Sequence, residues 1–193
     1  MNKRPPVFLV HGIWDSGDSM AAVRQSLLSA GWDKVHAIDL IPNDGRAALE
    51  ELASQLDAFV KDRAPDGPID IVGFSMGGLV SRTWLTLLCP PGRCRRFIAI
   101  SAPHRGTLWA RFSLRKQGVK DMRPQSRLIR NLTEGKIQAD QVYCYRTPYD
   151  LMIMPSRPSG IPGAIERSFF APSHRRMISQ TSVLRSLIED LHT

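Results

Sequence analysis

One short stretch constrains this chain more than any other. Gly73-Phe74-Ser75-Met76-Gly77-Gly78 follows Ile69-Asp70-Ile71-Val72, apolar but for Asp70, and leads into a helix-like segment at 79–88. A short, mostly apolar run closed by glycine and followed by a helical pattern predicts a strand that turns sharply into a helix, with Ser75 on the turn. Side chains two residues before and after such a serine would collide with it, and glycine at 73 and 77 removes the collision. The helix that follows points its first amides at the serine, where they can stabilise negative charge. Ser75, in a GxSxG motif, is therefore the candidate nucleophile.

The same alternation recurs along the chain. Strands are predicted at 7–10, 35–38, 69–73, 96–101, 142–146 and 167–170, several of them continuously apolar, as strands covered on both faces should be. Between them, Leu49, Leu52, Ala53, Leu56, Phe59 and Val60 repeat at helical spacing, as do Val183, Leu184, Leu187, Ile188 and Leu191. Met20, Val23, Leu27 and Leu28 mark a further helix, stopped at Gly31. Strands alternating with helices predict an α/β class: a mostly parallel six-stranded sheet with helices on both faces. At 193 residues the expectation is a single domain over 1–193, large enough to bury a core. The exception is a basic, weakly periodic insertion at about 103–141, expected to be a lid, in which only Leu128, Ile129 and Leu132 predict a short helix.

A hydroxyl needs a positioned base, most often histidine, which in turn needs a carboxylate to orient it. In sheets of this kind the order along the chain is serine, acid, histidine. His11 and His36 precede Ser75, His192 is terminal, and His104 has no suitable acid between it and Ser75, which leaves His174 in the loop after the last strand. Asp121 and Asp140 fall within the insertion, whereas Asp150 follows the fifth strand by a short turn, so Asp150 is the candidate acid. Two backbone donors should hold an oxyanion: Met76, after the nucleophile, and Ile13, in the His11-Gly12-Ile13-Trp14 turn after the first strand. His11 and Asp39 are expected to brace the fold. Trp14, Phe74 and Met152, beside these positions, are expected to contact substrate.

Val10-His11-Gly12-Ile13, Gly73 to Gly78, Ser101-Ala102-Pro103-His104-Arg105-Gly106-Thr107, Asp121-Met122-Arg123-Pro124 and Tyr149-Asp150 together resemble the small bacterial α/β-hydrolase esterases and triacylglycerol lipases, in order and over nearly the whole chain. The resemblance implies a minimal α/β-hydrolase fold that cleaves carboxylic esters. It implies a catalytic triad of Ser75, Asp150 and His174 and an oxyanion hole at Ile13 and Met76. It also implies that His104 and Arg105 shape a loop near the site. The chain departs from the pattern around His174, where Ser173 precedes and Arg175-Arg176 follow.

Charge bears on what the protein meets. Of a net +8, residues 93–130 carry eleven basic side chains against the single acid Asp121. Such a patch can face anionic lipid, a phosphorylated substrate, nucleic acid or plain solvent. The expected partner is a small-molecule or lipid ester, with an anionic lipid surface left open through 93–130. Nucleic acid is not expected, because the insertion offers only Trp109 and Phe112 for stacking. An acyl-CoA thioesterase, a phospholipid-directed hydrolase and a noncatalytic hydrolase-fold binding module with a basic docking segment remain as alternatives. No metal or organic cofactor is expected. Three cysteines, none in a CxxC spacing, and no leader-like or membrane-spanning apolar run lead to a cytoplasmic expectation with peripheral membrane contact open.

Overall fold

Strands rich in valine, isoleucine and phenylalanine form a six-stranded sheet, and in the computed structural model, which describes residues 4–112 and 115–192, every pairing is parallel. In chain order the strands are β1 (Val7–Val10), β2 (Val35–Ile38), β3 (Ile69–Phe74), β4 (Cys94–Ile100), β5 (Ala139–Arg146) and β6 (Ile165–Ser168). They lie side by side as β2-β1-β3-β4-β5-β6, so the sheet is wholly rather than mostly parallel. In such a sheet every loop that follows a strand emerges at the same edge. Ser75, after β3, therefore shares an edge with the turns after β1, β4, β5 and β6.

Side chains alternate across the strands and feed two cores. Phe8, Val10, Ile71, Phe97 and Ala99 face α2 (Leu49–Arg63) and α3 (Met76–Leu87). Val7, Leu9, Val72, Ile98 and Ile100 face α1 (Ala21–Ser29) and α6 (Thr181–His192). Both faces being covered explains why these strands read as continuous apolar runs. The first helix ends as expected: Gly31 adopts φ 91°, and the Trp32 amide reaches back to the Leu27 carbonyl.

A carboxylate is buried inside this sheet. Asp70, in β3, is fully buried and takes two hydrogen bonds from the Arg95 guanidinium, at 3.1 and 2.8 Å, plus the Arg96 amide at 3.2 Å. Burial raises its carboxyl pKa despite Arg95, so its ionised form depends on that partner.

The expected insertion at 103–141 holds more structure than its weak periodicity implied. It contains a 3-10 turn (Leu108–Phe112), α4 (Gln117–Asp121) and α5 (Arg127–Glu134), and its last residues belong to β5. Residues 113 and 114 of that insertion, like 1–3 and 193 of the chain, lie outside the described residues. Val119, Met122, Leu128 and Leu132 are buried in the α2–α3 core, and the Asp121 carboxylate accepts the first amide of α2 at 3.0 Å. A short helix at Leu128 to Leu132 was expected and lies within α5. The sixth strand runs 165–168, two residues before the predicted 167–170. No helix among the described residues is long and apolar enough to cross a membrane.

Candidate active site

The turn after β3 is strained in the way its glycines require. Ser75 has φ 53° and ψ −124°, a conformation that side-chain-bearing residues rarely adopt. A Cβ at Gly73 would lie 2.6 Å from the Gly78 Cα, and one at Gly77 would lie 2.3 Å from the carbonyl oxygens of Val10 and His11. Neither position has room for a methyl group. The close approach at Gly77 sets the start of α3 directly against the end of β1, which brings the His11-Gly12-Ile13 turn to the serine. A Cβ at Gly12 would stand 3.1 Å from the Cβ of Ser75.

Two backbone amides are free on that side. Met76 is the first residue of α3, whose amide has no intrahelical acceptor. The Ile13 amide donates to no acceptor among the described residues, while its neighbour Trp14 donates to the Asn43 carbonyl at 3.0 Å. The turn is held from behind by His11. Its buried ring accepts the Leu40 amide at Nε2, 3.0 Å, which leaves Nδ1 to donate to the Gly12 carbonyl at 2.8 Å. His11 is thus occupied with structure, and Asp39 likewise accepts the Gly17 amide at 2.6 Å.

His174, just after β6, and Asp150, just after β5, meet at this edge. The distance from His174 Nδ1 to Asp150 Oδ2 is 2.7 Å. The other carboxylate oxygen accepts the amides of Met152 at 3.0 Å and Ile153 at 2.9 Å. Asp150 is 4% exposed. Burial works to raise its carboxyl, but the hydrogen bond and charge of His174, the Ile153 amide and the Ser101 hydroxyl outweigh it and hold the pKa below the ordinary value. A carboxylate in this position accepts from Nδ1–H and orients the ring, with Nε2 on the far side. The ring rests on Phe74, the residue before Ser75, with centroids 4.8 Å apart. The Ser75 hydroxyl forms no hydrogen bond to the ring among the described residues.

The three residues expected to contact substrate differ in setting. Phe74 is buried beneath the His174 ring, Trp14 is 55% exposed and packs edge-on against Trp109 at 5.3 Å, and Met152 is half-buried with both backbone polar groups engaged. His104 is buried with neither ring nitrogen hydrogen-bonded, and burial, aided by the nearby Arg82, lowers its pKa well below the ordinary value. It makes no hydrogen bond to Ser75, Asp150 or His174.

Sequence reasoning missed Ser101. It follows β4 with φ 47°, is 3% exposed, and its hydroxyl lies beside the Asp150 carboxylate without meeting strict hydrogen-bond geometry there or elsewhere. A cavity of about 20 Å³, room for one water, adjoins it between Asp150, His104, Ser156 and Glu166. A larger cavity of about 300 Å³ opens between residues 102–108 and 153–159, with Leu108, Pro124 and Ile153 as apolar walls. No group of three or more metal-ligating side chains occurs among the described residues.

Comparison with known proteins agrees with this architecture. The family model described as "Alpha/beta hydrolase family" matches residues 7–184. Among solved structures, lipase B of Aspergillus fumigatus superposes with a TM-score of 0.80 at 15% identity, over 100% of this chain and 53% of that one. This chain thus spans about half the length of that lipase. A mature Bacillus licheniformis lipase gives 0.73 at 15% identity, over 99% and 93% of the two chains. An esterase from Exiguobacterium antarcticum gives 0.72 at 12%, over 100% and 94%. At these identities the likeness is one of fold.

Proposed function

Because the chain belongs to the alpha/beta hydrolase family, we propose that it is a serine hydrolase of carboxylic esters working through an acyl-enzyme. The observation that carries this reading is the 2.7 Å contact between His174 and Asp150 at the same sheet edge as the strained Ser75. Lipases and an esterase among the superposed structures support an ester as the substrate class.

The steps follow from the groups present. Ser75 Oγ attacks the ester carbonyl carbon while His174 Nε2 takes the hydroxyl proton. The carbonyl oxygen becomes an oxyanion between the amides of Ile13 and Met76, each donor of this kind being worth about 10²- to 10³-fold in rate. Asp150 remains ionised and stabilises the imidazolium. The imidazolium returns its proton to the departing alkoxide, which leaves an ester on Ser75, and a water activated by the same ring hydrolyses that ester. The chain would act as one hydrolase domain, with the segment at about 103–141 as its lid. Trp14 and Met152 would line the substrate path.

An acyl-CoA thioesterase is the nearest second reading, favoured by Arg105 and Arg157, which line the cavity of about 300 Å³. Turnover of p-nitrophenyl butyrate and of a long-chain acyl-CoA, each at low and high salt, tests the choice, because contacts to phosphate weaken as salt rises. An esterase turns over the butyrate with little salt dependence. A clear preference for the acyl-CoA, lost in salt, would move the assignment to a thioesterase.

A further inference from the structure

Large hydrophobic side chains left in water are concentrated on the catalytic edge. Eleven are exposed among the described residues, and eight of these lie in loops that follow a strand: Trp14 after β1, Ile41 after β2, Phe112 after β4, Leu151 after β5 and Phe170 after β6 are examples. Phe112 is 88% exposed and Leu151 and Phe170 are each 76% exposed. Of the remaining three, Leu87 and Leu88 lie at the end of α3 and Ile165 begins β6, at the opposite edge. Apolar tips on five separate loops do not form a groove for a peptide. They share the sheet edge that carries Ser75.

The charge on this edge leans basic: Asp18, Glu50 and Glu51 are exposed there without an ion pair among the described residues, and the other acids are engaged. Asp15 pairs with Arg175 at 2.9 Å and Asp44 with Arg46 at 2.7 Å, while Asp39, Asp121 and Asp150 accept the hydrogen bonds already described. Arg105, Arg111, Arg115, Arg157 and Arg176 are exposed and, among the described residues, pair with no carboxylate. The basic stretch seen in the sequence is therefore divided by β4. At its start, Arg93 and Arg95 bond to Ala64 and Asp70 at the far edge, and from Arg105 onward it reaches the catalytic edge.

We propose that the catalytic edge docks on an anionic phospholipid bilayer. The apolar tips enter the boundary between headgroups and acyl chains, the five guanidinium groups meet lipid phosphates, and Ser75 faces the membrane from which it draws its ester. The choice of substrate source rests on the ester hydrolase reading; the docking itself does not. A nucleic acid would satisfy the arginines but offers no apolar phase for Ile41, Phe112 or Leu151, so the bilayer fits both halves of the surface.

The test uses Ser75→Ala protein, which cannot consume lipid, sedimented with vesicles of phosphatidylcholine alone or with about a third phosphatidylglycerol. Binding is expected to be at least about tenfold tighter to the anionic vesicles and to weaken with salt. Arg111→Gln with Arg115→Gln should lower it and flatten the salt dependence. Ile41→Ser with Phe112→Ser should lower it even at high salt. In the wild-type background, these two pairs of changes should leave turnover of soluble p-nitrophenyl butyrate within about twofold, since neither touches the reacting groups. Equal binding to the two vesicles, no effect of either pair, or binding to single-stranded nucleic acid but not to vesicles would overturn the proposal. Vesicle binding by a wild-type protein that turns over no ester would sink the hydrolase reading and leave the docking standing. Ester turnover without vesicle binding would do the reverse.

Discussion

His174 and Asp150 come from loops that follow two neighbouring parallel strands, and their side chains meet at 2.7 Å, with the remaining carboxylate oxygen tied to two amides. That second attachment prevents the acid from turning away from the ring. The carboxylate therefore selects the tautomer as well as the position of the imidazole.

Asp150→Asn keeps the shape of this contact but presents a group that can donate to Nδ1, which favours the wrong tautomer. The expected result is a loss of about 10⁴ in kcat with little change in KM. Steady-state kinetics on a soluble ester, with the fold checked by circular dichroism, measures it. A loss under tenfold would mean that another group orients the ring.

The lowered Asp150 pKa has a consequence for stability with a definite sign. A carboxyl held below its unfolded value of about 3.9 contributes stability that is present above that pH and is lost as pH falls through the folded value. Urea unfolding at pH 6 and at pH 3 should therefore show the wild type losing its advantage over Asp150→Asn at the lower pH. Ser101→Ala should narrow the window by moving the Asp150 titration upward, as read by carboxyl carbon NMR. An unmoved titration would leave Ser101 without this role.

Gly12→Ala would place a methyl carbon 3.1 Å from the Ser75 Cβ, so Ser75 must shift by a few tenths of an ångström. Displacement at the reacting atom is costly, and kcat should fall by about tenfold or more. The melting temperature should move far less, which separates this change from Gly77→Ala, where backbone carbonyls at 2.3 Å leave no room and the chain should fail to fold.

Arg95→Leu leaves Asp70 buried without its guanidinium. Arg95 is 30% exposed, which moderates the loss to about 2 kcal/mol, measurable by urea unfolding. The Asp70→Leu, Arg95→Leu double variant should recover part of it. Equal losses in the single and double variants would show that the pair contributes only packing.

The sheet was legible because burial on both faces leaves little choice of residue: β1 and β2 lie where their apolar runs predict, and the Ser75 turn announces itself through its glycines. Boundaries failed where burial ends. β5 starts at Ala139, paired with Cys94 of β4, but its residues Asp140 and Gln141 are exposed and so read as loop. β6 ends at Ser168 because Phe169 leaves the strand to pack on Tyr145, and Phe170 turns to Tyr149 on the catalytic edge. The two aromatic residues looked like strand. Ser101 left no mark at all, since nothing local distinguishes a serine forced to φ 47° from any other after a strand. The division of the basic segment was hidden for the same reason: partners such as Asp70 and Arg95 are 25 residues apart in sequence and meet only once β3 and β4 are paired.

The central claim is that Ser75 is an activated nucleophile, and a fluorophosphonate probe followed by peptide mass spectrometry tests it most directly. The expected result is a single adduct on Ser75 in the wild type, absent in Ser75→Ala and formed at least about a hundredfold more slowly in His174→Ala. A folded wild-type protein that takes no adduct, or takes it at another residue, would contradict the account.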